Sequence, residues 1–399
     1  MKPTLLVVLA LLASAWAQNL NPQQALERLF TLRPAKAEWF APAFLSQVAP
    51  AQIDQIIAQL EAQLGKYQAV RPEGQDFVVE LEKGLVPTKI ALDAQGRIAG
   101  LLFQTPRPKV NSLEAALAGF RGLPGRVSVL VLEDGQPKAS LSPDEPLAVG
   151  SAFKLAVLAA LKAEIESGKR KWSDVVELRP EWKSLPSGVL HTWPNGSPLT
   201  LHTLAAEMIS ISDNTAADAL ISILGREAVE AVAPRNRPFL TTKEAFALKN
   251  PANKALLERY LKGDATVRAA LLPELKNAPL PMEADFTRGP LALQVEWFFS
   301  VRELCTLMER VQGLPLMSIN PGVANPADWA RVAFKGGSEP GVLNLTTGLE
   351  TPLSPQSREG KGGKRYCVSA TWNNPQEALD EQKFITLYSG LLEALRLGP

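Results

Sequence analysis

Residues 151–167 present apolar side chains on nearly every side of a helical wheel, and Gly168 and Lys169 close the segment. A helix of that kind must be enclosed by other elements, so the chain has to build a core around it. One residue resists enclosure. Lys154 stands in the first turn among Ala152, Phe153, Leu155 and Ala156, where a cation needs a chemical reason to be. Ser151 opens the helix, three positions earlier and on the same face. The positive end of the helix favours negative charge developing near Ser151. That end and the apolar surroundings both disfavour an ammonium, so the Lys154 pKa should fall toward neutrality and the amine can take the serine proton. Alone, Ser-x-x-Lys reads more readily as a capping serine and an exposed lysine.

Two later runs change that balance. Ser212-Asp213-Asn214 falls in a short break between helices expected at Thr200–Ile211 and Thr215–Leu224. By itself it is a capping cluster. Lys335-Gly336-Gly337 ends an apolar strand, Val332–Phe334, and opens a glycine-rich segment through Gly341. By itself it is a strand end with a turn. With Ser151 and Lys154 the runs add a second hydroxyl and a second amine, the parts needed for acyl transfer without histidine. Only His191 and His202 are present, and Ser151 lacks the G-x-S-x-G elbow, so a Ser-His-Asp hydrolase is disfavoured. No H-E-x-x-H run occurs, and neither a metal nor a cofactor is expected.

In this order the runs match the S-x-x-K, S-D-N and K-T-G set of class A β-lactamases and penicillin-binding proteins. Residues 112–399 therefore resemble a class A β-lactamase-like serine hydrolase domain. The resemblance implies an antiparallel sheet flanked by helices, with a helical subdomain. It implies Ser151 as nucleophile, Lys154 as its base, and Ser212 as the proton relay to the leaving nitrogen. Asn214, Lys335, Gly337 and Ser338 would contact substrate, with the Ser151 and Ser338 N–H groups as oxyanion hole. Two departures stand out. Gly336 replaces the hydroxyl residue that follows the lysine, with Ser338 as its possible substitute. The Glu-x-x-Leu-Asn run whose glutamate activates the deacylating water is also missing, and Pro234–Thr242 reads as a shortened loop. Glu244 is near the expected place, but Thr241-Thr242-Lys243-Glu244 is a capping box. Extra sequence between Glu244 and Lys335, including the proline-rich Leu272–Pro290, is expected to rebuild one wall of the pocket.

Ahead of this domain, helical spacing at Leu26, Leu29, Phe30, Ile53, Ile56, Ile57 and Leu60 gives way to alternation between Tyr67 and Phe103. This order predicts a small α+β unit at 18–104, similar to the cone of nuclear-transport-factor-2-like (NTF2-like) and ketosteroid-isomerase-like domains. The prolines of Gln104–Pro108 predict a linker over 105–111. Residues 1–17 read as a secretory signal: Lys2, the apolar stretch Leu5–Leu12, and Ala15-Trp16-Ala17 for cleavage. The stretch is too short to span a bilayer, so no integral membrane protein is expected. Net charge is +1, against a nucleic-acid partner. Export would permit one disulfide between the sole cysteines, Cys305 and Cys367. The whole reads as a secreted or periplasmic hydrolase taking a β-lactam or a peptidoglycan-like acyl substrate, with slow deacylation. A D,D-peptidase or esterase, and a penicillin-binding sensor without turnover, remain alternatives.

Overall fold

The computed structural model describes residues 20–73, 76–110, 112–282, 285, 292–352 and 363–396. The leader read at 1–17 lies outside them, and no described helix is long and apolar enough to cross a membrane. The chain divides into two compact units, Met1–Lys109 and Val110–Pro399.

In the first unit helices precede an antiparallel sheet. Helices α1 (Pro22–Thr31), α2 (Pro42–Leu45) and α3 (Pro50–Leu64) each start on proline, whose missing N–H would have no partner there anyway. Strands β1 (Tyr67–Glu73), β2 (Asp76–Leu81), β3 (Gly84–Leu92) and β4 (Ile98–Phe103) lie side by side in that order. Leu26, Leu29, Ile53 and Ile57 form the helical side of a core with Val79 and Ile98. The boundary between the units falls inside the stretch expected as a linker, and within it β5 (Arg107–Pro108) pairs with Gly84 and Leu85 of β3. A two-residue strand at a sheet margin tolerates proline, since little pairing depends on its absent N–H.

The second unit opens with α4 (Leu113–Ala118) and the hairpin β6 (Arg126–Glu133) to β7 (Gln136–Leu141). Asp134 and Gly135 turn it with φ 49° and 79°, the left-handed pair that matches strand twist. Short pairs follow: β8 (Leu147–Ala148) with β11 (Phe298–Phe299), and β9 (Val175–Glu177) with β10 (Pro198–Thr200). The main sheet is completed by β12 (Arg331–Glu339), β13 (Val342–Glu350) and β14 (Arg365–Asn373), in the antiparallel order β12-β13-β14-β6-β7. Alternation assigns its faces. Val129 and Val131 pack with Phe120, Phe384 and Tyr388, whereas Leu130 packs with Val301 and Cys305 on the opposite side.

Helix α5 (Lys154–Glu166) is buried along its length from Lys154 to Leu161. Around it stand α6 (Leu201–Ser210), α7 (Asn214–Leu224), α8 (Arg226–Val232) and, past α9 (Thr242–Lys249), α10 (Lys254–Lys262) and α11 (Ala265–Leu275), α12 (Val301–Val311). Its all-round apolarity is thus used on every side. Helix α13 (Glu381–Arg396) closes the chain against α4. The two cysteines form a disulfide between α12 and β14.

Candidate active site

Ser151 enters α5 through a tight turn, Gly150–Phe153. The fully buried Lys154 sends its Nζ to 3.1 Å from Ser151 Oγ and 3.1 Å from Ser212 Oγ. It also donates to the Ser212 carbonyl and to Asn214 Oδ1, each at 2.6 Å. An ammonium has three protons for these four neighbours. Once deprotonated, the amine would spend its two protons on the short contacts and keep its lone pair for a hydroxyl. Burial and the nearby Lys335 charge hold the Lys154 pKa well below the usual lysine value, only partly opposed by Asp218, Asp213 and Glu339.

Lys335, on β12, reaches the same relay hydroxyl. Its Nζ lies 3.1 Å from Ser212 Oγ and donates to the Gly336 carbonyl at 2.5 Å. Burial pushes its pKa down to about 7. Ser151, Lys154, Ser212 and Lys335 therefore form one hydrogen-bonded row, drawn from three distant parts of the chain.

The break between α6 and α7 sets Ser212 in place. Ser212 adopts φ 60°, unusual for a side chain of its kind. Ser187 Oγ donates to its carbonyl at 2.8 Å, and Asn214 Nδ2 donates to the Leu185 carbonyl at 3.1 Å. Asp213, which sequence reasoning left without a role, organises the region. Its Oδ1 caps α7 through the Ala216 N–H, and its Oδ2 accepts the Val189 and Leu190 N–H groups. Its signal was present as the N-cap aspartate of the following helix. Asp218 was missed too. It accepts the Thr242 and Lys243 N–H groups, joining α7 to the start of α9, and burial pushes it up to about 7.

The nucleophile turn and β12 touch backbone to backbone. A Cβ on Gly337 would lie 2.2 Å from the Val149 carbonyl and 2.4 Å from Ser151 N. Gly150, at φ 50°, would place a Cβ 3.2 Å from Ser338 N. Glycine at both positions lets the nucleophile turn and β12 pack backbone to backbone, and Ser151 and Ser338 both line a cleft of about 610 Å³. All seven residues read from sequence fall at this place: Lys154 beneath it, and Ser151, Ser212, Asn214, Lys335, Gly337 and Ser338 lining it.

The departures have physical reasons. A Cβ on Gly336 would meet Asn344 O and Phe334 Cζ at 3.0 Å, so the aromatic ring holds the space of the missing side chain. Glu244 completes the capping box with Thr241 and binds Arg226 at 2.9 Å. The extra sequence between Glu244 and Lys335 does supply part of the cleft wall, through Phe246, Trp297 and Asn320, while residues 283–284 and 286–290 of its proline-rich part lie outside the described residues. Neither histidine lines the cleft, and His202 packs edge-on against Trp172.

Residues 108–256 match the model of the β-lactamase enzyme family. The match falls within the second unit but for its first two residues, and over this stretch the chain is similar to β-lactamases. Solved structures similar to the chain include a β-lactamase from Sphaerobacter thermophilus, 21% identical, covering 72% of this chain and 98% of that one at a TM-score of 0.49. The penicillin-binding protein PBP-A is 17% identical, covering 71% and 96%, with a TM-score of 0.47. An ancestral class A β-lactamase is 21% identical, covering 71% and 99%, also at 0.47. No curated protein matches the chain.

Proposed function

We propose that the chain is an exported, class A-like enzyme that forms an acyl-serine with a β-lactam and releases it slowly. The observation carrying this reading is the row of alternating hydroxyls and amines from Ser151 to Lys335. The neutral Lys154 takes the proton as Ser151 Oγ attacks the lactam carbonyl. The Ser151 and Ser338 N–H groups stabilise the oxyanion, each typically by a few kcal/mol. As the C–N bond breaks, Ser212 gives its proton to the leaving nitrogen and regains one from Lys154. Lys335 attracts the substrate carboxylate, and Asn214, fixed by Lys154 and the Leu185 carbonyl, has one amide proton left for the acyl side chain.

Slow release follows from the carboxylates. Among the described residues lining the cleft, Glu339 is the one acid, and Lys249 already binds it. Glu244 is engaged by its own helix cap and by Arg226. Neither is free to activate water. The leader pattern and the Cys305–Cys367 disulfide support export. Helices ahead of an antiparallel sheet support an NTF2-like first unit.

Intact-mass measurement after adding a penicillin tests the reading, with Ser151→Ala as control. A persistent adduct on the wild type alone is expected. Rapid return to free mass would remove the slow-release part. Cleavage of a D-alanyl ester with no lactam adduct would transfer the chemistry to a D,D-peptidase or esterase, and silence toward every acyl donor would leave a binding protein.

A further inference from the structure

The ion cluster beside the cleft has no place in the steps above. Lys249, the last residue of α9, is bound by Glu296 and by Glu339, and its side chain is 1% exposed. The Glu296 side chain is fully enclosed, and its Oε2 has no hydrogen-bond partner among the described residues. Burial and the nearby Glu339 push Glu296 up to about 8. Two carboxylates and one ammonium out of water add little stability that apolar side chains would not give. Geometry is the better reason for the cluster.

Side chains alternate along a strand, so Lys335, Gly337 and Glu339 share the face of β12 that is turned toward Ser151. Lys335 ties one end of this run to Ser212, and Glu339 ties the other to Lys249. Between them sits Ser338. The strand is at the sheet margin, with β13 on one side only, and the chain turns away at Pro340-Gly341 directly after Glu339. A marginal strand needs an anchor to hold an N–H within tenths of an ångström.

We propose that Lys249 is a positioning residue for oxyanion formation, fixing the Ser338 N–H through its bond to Glu339. This rests on the acyl-serine reading. It applies to the acylation step alone and involves no contact between Lys249 and substrate.

The test is saturation kinetics of acylation by a fluorescent penicillin on the full chain, which separates the dissociation constant from the acylation rate constant. Lys249→Met and Glu339→Gln should each lower the rate constant about 10–100-fold while the dissociation constant stays within about twofold. The double variant should match the singles, since both break one link, and Lys249→Arg should recover part of the rate. Should Lys249→Met fail to fold by circular dichroism, Glu339→Gln decides alone, as its side chain is 18% exposed and tolerant of change. An unchanged rate constant in Glu339→Gln, a loss confined to binding, or additive losses would overturn the proposal. So would normal acylation with a longer-lived adduct, which would make Glu339 a deacylating base. A wild type that takes no label defeats the underlying reading and this proposal together, and the wild-type arm tells the two failures apart.

Discussion

Replacing Gly337 with alanine adds one methyl group at the most crowded point of the site. The new Cβ would stand 2.2 Å from Val149 O, 2.4 Å from Ser151 N and 2.6 Å from Ala152 N. All three neighbours are main-chain atoms of the nucleophile turn, so no side-chain rotation relieves the overlap. β12 must retreat by about 1 Å, taking Ser338 with it, and a displacement of that size costs on the order of 10²-fold in rate. Losing one oxyanion donor outright costs about 10²–10³-fold, or about 3–4 kcal/mol, so the acylation rate constant should fall within that range. Gly336→Ala is the control. Its Cβ meets Phe334 Cζ and Asn344 O at 3.0 Å, which a swing of the ring and a small shift relieve. Its loss should stay under about tenfold. Both variants are read by labelled-penicillin acylation with folded fraction checked by circular dichroism. Gly337→Ala acylating within about threefold of wild type would refute the backbone-contact reasoning.

Three further outcomes are expected. Lys154→Met should lose about 10²–10⁴-fold in acylation rate, and the wild-type rise of rate with pH should vanish in it. That rise should lie well below the pH where an ordinary lysine titrates, because burial and Lys335 depress the Lys154 pKa. For Lys335 the folded pKa of about 7 lies under the unfolded value of 10.5, so the unfolded state binds more protons between them. Wild-type stability should therefore fall as pH drops through that window, and the melting-temperature advantage of Lys335→Met should grow down to about pH 7 and then level off. Replacing both Cys305 and Cys367 by serine should cost up to about 4 kcal/mol, from the entropy of a loop with sequence separation 62, as measured by urea denaturation.

What could be read from the chain depended on how local its cause was. The buried helix behind Ser151 announced itself through apolar residues on all sides, and the Thr241–Glu244 cap through a four-residue pattern. Ser212 and Lys335 were legible because glycine, asparagine and hydroxyl neighbours mark a break and a strand end. Asp213 was legible as a helix cap but not in its bonds to the 189–190 backbone, and the bonds of Asp218 to Thr242 and Lys243 were not legible, since these partners come from other loops. The cluster of Lys249, Glu296 and Glu339 was invisible for the same reason: nothing local in the sequence pairs residues so far apart. Pro108 was legible as a bar to helix and central strand, and the marginal two-residue strand it joins needs pairing that no local pattern shows.

The Ser212 hydroxyl stands 3.1 Å from both amines, and this symmetry makes the two lysines rivals for charge. An anionic acyl donor arriving at Lys335 favours an ammonium there, and that positive charge drives the proton off Lys154. The ligand thereby switches on the base that will attack it. Uncharged esters of similar shape lack this trigger, so they should react more slowly even when every binding site is filled.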